Sequence, residues 1–146
     1  TPQDFFDKLN WRFGPFNLDP CATKESAKCV SYYTKDDDGL SKSWSGRTVF
    51  VNPPYGRQIN KWIEKAYRES MDNNTTVVML IPARTDTRYW HDYVMKAKEL
   101  HFVKGRLKFG SSSNSAPFPS AVVVFSRSAE DRNVYADYPK TYTMAR

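Results

Sequence analysis

Cysteine is scarce: the 146-residue chain has two, Cys21 and Cys29, eight positions apart. That count and spacing exclude a disulfide framework and the paired Cys-x-x-Cys ligands of a structural zinc site, and they read as two reduced thiols in a cytosolic protein. Long apolar runs are also missing. No stretch approaches the roughly 20 residues that cross a bilayer, and no signal peptide is visible, so the sequence predicts no membrane partner. Internal repeats and long linkers are absent as well. Histidine occurs only at 91 and 101. Both fall in or near packed helix and strand patterns, and neither is assigned a ligand or base role.

What remains suits one compact domain with a hydrophobic core. Lys and Arg number 22 against 16 Asp and Glu, a formal charge of +6. That balance favours a polyanionic partner without proving one. Aromatics make up 15% of the chain, enough for some rings to serve as stacking surfaces.

Two unbroken β-rich runs, "TVFV" (48–51) and "TVVMLIP" (76–82), read as strands buried on both faces. Between them Ile59, Trp62, Ile63, Ala66, Tyr67 and Met71 recur at helical spacing. The three together predict a βαβ unit. A helix begins at "TPQDFF", with Thr1 as N-cap, Pro2 at the first helical position and Asp4 three residues after the cap. "CVSYYT" (29–34) reads as a short strand, and a further helix starts near Thr87. "ELHFVKG" (99–105) and "SAVVVFSR" (120–127) read as two more strands, joined by a Gly/Ser/Pro-rich hairpin or loop over 105–120. The expected architecture is an α/β open sheet, mostly parallel, with helices on both faces and a C-terminal hairpin. The domain spans residues 1–127; residues 128–146 form a polar, peripheral or weakly ordered tail.

The first strand stops at "NPPY", residues 52–55. Open parallel sheets bind ligands at the carboxyl ends of their strands. Two adjacent prolines there remove two backbone donors and fix φ, leaving a stiff corner of carbonyl oxygens. One chemistry needs that arrangement. The lone pair of an exocyclic amine is delocalised into its ring, and two acceptors on its two N–H groups draw the nitrogen towards a nucleophilic sp³ state. Asn52 supplies a side-chain oxygen, Pro53 a main-chain oxygen, Pro54 the stiffness, and Tyr55 a stacking surface. The bland alternative is a proline turn that merely ends a strand.

These residues resemble the Asp/Asn/Ser-Pro-Pro-Tyr/Phe motif of S-adenosylmethionine-dependent amino methyltransferases. The ordered set "TPQDFF", "FNLDPCA", "DDDGL", "NPPYG", "IPARTDT" and "GRLKF" is similar to the small phage and prophage Dam-like DNA N6-adenine methyltransferases, over roughly residues 1–127. The resemblance implies a compact, truncated Rossmann-like class I methyltransferase fold. It implies S-adenosylmethionine as methyl donor, double-stranded DNA as partner, a monomer or dimer, and a bacterial host cytoplasm.

Residue by residue, the resemblance places Asn17, Asp19, Pro20, Cys21 and Ala22 about the donor's methionine part, with Asp19 facing its ammonium, and counts Asn52 as a donor contact as well as a catalytic residue. Thr1 and Pro2 match the family's opening and would hold the donor carboxylate. Among the acids Asp36, Asp37 and Asp38, the last, beside Gly39, is selected for the ribose or adenine amine. The chain departs from larger relatives in having no Gly-rich turn after the acid, and Asp19 lies only 33 positions before Asn52. Donor binding must be compressed. Three consecutive acids on one turn diverge, so no metal is expected.

An adenine inside a duplex must be flipped out before its amine is reached. Arg57, Arg84, Arg88, Lys104, Arg106 and Lys108 are the expected phosphate contacts, and Phe109, Phe118 and Ser120 the expected lining of the base pocket. Rival readings keep the chemistry on another amine (cytosine N4, an RNA base, a protein glutamine) or make the chain a catalytically silent DNA-binding module.

Overall fold

The computed structural model describes residues 1–72, 74–108, 116–127 and 139–146. Its five strands are β1 (Thr48–Val51), β2 (Thr76–Pro82), β3 (Glu99–Lys104), β4 (Ser120–Ser126) and β5 (Lys140–Ala145). They lie in one sheet in the order β1-β2-β4-β3-β5. The helices are α1 (Gln3–Phe13), α2 (Ile59–Glu69) and α3 (Arg88–Asp92).

The unbroken apolar runs have a direct cause: the sheet is covered on both sides. Alternation along each strand deals side chains to opposite faces. Phe50, Val78, Leu80, Val122 and Val124 meet Phe5, Phe6 and Leu9 of α1. Val49, Val51, Val77, Met79, Ile81, Val123 and Phe125 meet Trp62, Ile63 and Ala66 of α2, together with Trp90 and Val94. Burying an aromatic or leucine side chain of this kind stabilises by about 1.5–3 kcal/mol, so either face alone would anchor its helix.

The sheet is mixed rather than mostly parallel. β1 runs parallel to β2 and β3 parallel to β5, while β4 is antiparallel to both of its neighbours. β4 is inserted between β2 and β3, and its apolar composition suits that central slot whichever way the chain runs. β2 and β3, both antiparallel to β4, therefore end at the same rim. The pair β3–β4 is the expected C-terminal antiparallel pair. β5 falls in the segment read as a polar tail; it forms the sheet's edge, with only Met144 of its six residues buried.

Beside β1, Leu18 bridges Val49, and the expected strand at 29–34 is reduced to one isolated parallel bridge, Asp19 with Tyr32. The helix expected from Thr87 is one short α-helix followed by a 3-10 turn at Val94–Lys96. At the start of α1 the N-cap is Pro2, with no side-chain cap, and Asp4 accepts from the N–H of Phe5. Thr1 is not the cap because its hydroxyl is engaged elsewhere, at Asn52. Among the described residues no helix is long and apolar enough to cross a membrane.

Candidate active site

Parallel pairing of β1 and β2 brings the ends of both strands to one rim. Asn52 and the two prolines leave β1 there. Asn52 Nδ2 donates to Thr1 Oγ1 at 2.9 Å, and Asn52 Oδ1 accepts from the Tyr55 hydroxyl at 2.7 Å. Pro53 is buried and Pro54 is exposed. The Tyr55 ring stands edge-on to Phe118, with centroids 5.1 Å apart, and the Arg84 guanidinium lies 5.8 Å from the Phe118 centroid. Burial pushes the Tyr55 phenol well above its ordinary pKa, so it is a neutral O–H donor.

Beside this corner opens a cavity of about 480 Å³, within the size range of small-molecule sites. Pro20, Cys21, Ala22, Asp38, Gly39 and Pro54 line it, together with Leu40, Gln58 and Trp62. Four residues expected at the donor are therefore brought together here: Pro20, Cys21, Ala22 and Asp38. Asp38 adopts a left-handed backbone, φ 56°. Its neighbour Asp37 instead closes the turn, accepting from Thr34 N at 2.8 Å and Thr34 Oγ1 at 3.1 Å. Gly39 is where the wall comes closest: a Cβ on it would sit 2.1 Å from the carbonyl oxygen of Pro20.

Asp19 is 4% exposed and does not line the cavity. Its carboxylate accepts from Lys28 N at 3.0 Å and Cys21 N at 3.4 Å, which folds the 20–28 loop over it. Burial raises its pKa, and the two backbone donors work against that rise. Asn17 is also away from the cavity. Its Oδ1 accepts from Thr48 N at 3.0 Å, at the amino end of β1 and so at the opposite rim. Thr1 and Pro2 do not line the cavity either. Pro2 belongs to a second hollow of about 440 Å³ shared with Asp4, Phe5, Arg106, Leu107, Lys108 and Arg146.

Arg57, Arg84, Arg88, Lys104 and Arg106 are all exposed. They follow the ends of β1, β2 and β3, and so occupy the same rim as the corner. Arg106 Nη1 donates to Ala116 O at 3.3 Å, tying the two ends of the 105–119 connection. Ser120, expected in the base pocket, is 2% exposed, and its Oγ is buried with no hydrogen-bond partner among the described residues. It starts β4 opposite Pro82, the last residue of β2. Phe109 lies outside the described residues.

Sequence reasoning missed Trp62, Gln58 and Leu40 as cavity walls. Trp62 sits in the apolar stripe of α2 and stacks on Trp44, with centroids 6.2 Å apart and planes 20° apart. Periodicity marks such a residue as core and carries no sign that one edge of the ring meets a cavity.

The chain is similar to known proteins along most of its length. The family model described as DNA N-6-adenine-methyltransferase (Dam) matches residues 1–140. A DNA N-6-adenine-methyltransferase of Escherichia phage T1 is 30% identical over 108 residues, covering 73% of this chain and 44% of that protein. One from Haemophilus phage HP1 is 27% identical over 135 residues, covering 88% of this chain and 78% of that protein. The alignment thus spans less than half of the phage T1 relative and most of the phage HP1 one.

Proposed function

The chain belongs to the DNA N-6-adenine-methyltransferase (Dam) family, and from that premise we propose that it methylates the N6 amine of adenine in double-stranded DNA on a compressed Rossmann-like class I methyltransferase scaffold. The observation that carries this reading is the Asn52–Tyr55 corner at the end of β1, with Pro54 forming part of the wall of the 480 Å³ cavity.

The cavity residues fit S-adenosylmethionine. Largely apolar walls and the Trp62 ring suit a nucleoside, and the Asp38 carboxylate suits its hydroxyls or amine. The absence of a Cβ at Gly39 leaves the Pro20–Gly39 contact close enough to form a cradle. Pro20, Cys21, Ala22, Asp38, Gly39 and Trp62 would hold the donor, which supplies an electrophilic methyl group on a sulfonium. Asp19 acts one layer back by shaping the 20–28 loop, not as the ammonium's direct partner.

The target adenine is extruded from the duplex and stacks on Tyr55. Asn52 Oδ1 and the Pro53 carbonyl accept the two N6 hydrogens, which localises the nitrogen lone pair. A donor held by Pro20, Cys21, Ala22, Asp38, Gly39 and Trp62 would supply the methyl carbon to that lone pair and leave as a neutral sulfide. The nitrogen, now positively charged, loses one hydrogen as a proton. No strong base is required, so catalysis is mostly positioning and electrostatics. Arg57, Arg84, Arg88, Lys104 and Arg106 would hold the phosphates at the rim.

The test is incubation with methyl-labelled donor and double-stranded DNA, followed by nucleoside analysis. Label in N6-methyladenine supports the reading. Label in N4-methylcytosine, RNA or protein would move the same chemistry to another acceptor. Donor binding by calorimetry with no transfer to any acceptor would leave a silent module.

A further inference from the structure

The clamp requires Asn52 to present oxygen, not nitrogen, to the base. A carboxamide offers both, and a half-turn of its end would set two N–H donors against the N–H groups of the substrate. Something must hold the amide.

The two ends of Asn52 are held in different ways. Its Nδ2 donates to Thr1 Oγ1 at 2.9 Å. Thr1 precedes a tightly fixed segment: Phe6 N donates to Pro2 O at 3.0 Å, and the Phe6 ring meets Phe50 edge-on at 5.0 Å. Phe50 lies two positions before Asn52 on the α1 face of the sheet. The start of α1 and the end of β1 therefore move as one body. Asn52 Oδ1, by contrast, accepts from the Tyr55 hydroxyl at 2.7 Å. Tyr55 is 37% exposed and precedes Gly56, which sits at φ +129° with nothing within 4 Å of a Cβ built there. The Thr1 partner sits at the junction of α1 and β1, while the Tyr55 partner sits on the exposed turn after β1 with its ring edge-on to Phe118.

We propose that Thr1 is a positioning residue of the methyl-transfer site: its hydroxyl pins Asn52 Nδ2 so that Oδ1 faces the incoming base, while the Tyr55 hydroxyl occupies Oδ1 as a stand-in for the adenine N–H and is displaced by it. The proposal rests on the adenine-methylation reading above. It also gives Thr1 a different duty from the donor-carboxylate contact implied by the family's opening motif.

Three variants of the full chain test it, by single-turnover and steady-state kinetics on adenine-containing duplex DNA with calorimetric donor titration. Thr1→Val keeps the shape and removes the acceptor. Its single-turnover rate should fall roughly two- to tenfold, with donor affinity and the KM for DNA within about twofold of the parent. Thr1→Ser restores the acceptor and should recover the rate. Tyr55→Phe removes the stand-in, and its KM for DNA should fall roughly two- to threefold. A Thr1→Val enzyme at full rate overturns the proposal, and so does one whose loss is entirely in donor affinity. A Tyr55→Phe enzyme with unchanged or raised KM overturns the exchange at Oδ1. Should Thr1→Val not fold, Thr1→Ala against Thr1→Ser gives the same comparison. Failure of the parent chain to produce N6-methyladenine would instead sink the functional reading, a separate outcome.

Discussion

At the scale of single residues, the proposed mechanism separates binding from chemistry at the corner. Asn52 touches Thr1 and Tyr55 but does not line the 480 Å³ cavity proposed for the donor. Asn52→Ala should therefore lower turnover by about 10²–10³, the usual cost of removing one preorganised partner of a developing charge, while calorimetric donor affinity stays within a few-fold. Near-full turnover in that variant would end the clamp mechanism. The cysteines give a second residue-level test. Burial, with the nearby Asp19 charge adding to it, pushes both thiols up to about 11 from 9.0. At pH 8 each should alkylate about a hundredfold more slowly than in the denatured chain, because only the thiolate reacts. Saturating donor should slow Cys21 further and leave Cys29 unaffected, since only Cys21 lines the cavity. Mass spectrometry after iodoacetamide treatment reads both. The sign for stability follows from the same shift. Between pH 9 and about 11 the unfolded chain releases a proton that the folded chain keeps, so stability falls as pH rises through that window.

At the scale of elements, the close contact between the 20–28 loop and the turn at the 3-10 helix Gly39–Ser41 shapes the cavity proposed for the donor. A Cβ at position 39 would meet backbone, the Pro20 oxygen at 2.1 Å, and backbone cannot step aside as a flexible side chain would. The Gly39 carbonyl also accepts from Trp44 Nε1 at 3.0 Å, so the turn is held from behind. Gly39→Ala should cost about 1–3 kcal/mol in urea unfolding, the range for overpacking, and weaken donor binding more than it weakens DNA binding. The element scale is also where the sequence was easiest and hardest to read. β1, α2, β2 and β4 declare themselves because each is buried along a full stripe or on both faces, which forces an apolar pattern. α1 was legible from Pro2 and Asp4 of its opening, yet its cap was not, since a threonine before a proline looks like a cap whether or not its hydroxyl is used 51 positions away. β5 is an edge strand with one buried residue, and the 31–33 segment pairs by a single bridge; neither has enough burial to imprint a period. The site followed the same rule. The Asn52–Tyr55 corner stood out because two adjacent prolines are costly at the end of a buried strand, whereas Cys21 and Asp38 were reached only through the family resemblance. Trp62 was hidden because a ring that serves both the core and the cavity has the composition of core. Asn17, expected near Asp19, instead caps the amino end of β1 by accepting from Thr48 N, a placement its sequence neighbourhood does not announce.

At the scale of the whole molecule, net charge alone does not say where DNA lies. The rim that carries the corner has Arg57, Arg84, Arg88, Lys104 and Arg106, but the opposite rim has basic residues too, among them Arg47, Lys98 and Arg127 beside the starts of β1 and β3 and the end of β4. A charge of +6 would attract a polyanion to either rim. The proposed mechanism breaks the tie: if the flipped base is to reach Asn52, the duplex lies across the rim where β1 and β2 end. The measurement is the slope of log binding constant against log salt, which falls by about 0.9 for each phosphate contact removed from B-form DNA. Arg84→Ala and Arg106→Ala should each lower the slope by about that amount, and the double variant by about twice it, because the two sites are separate. Arg127→Ala, carrying the same loss of charge at the far rim, should leave the slope unchanged. An equal change for all three would mean that binding follows net charge and not this face, and the duplex would have to be placed elsewhere on the molecule.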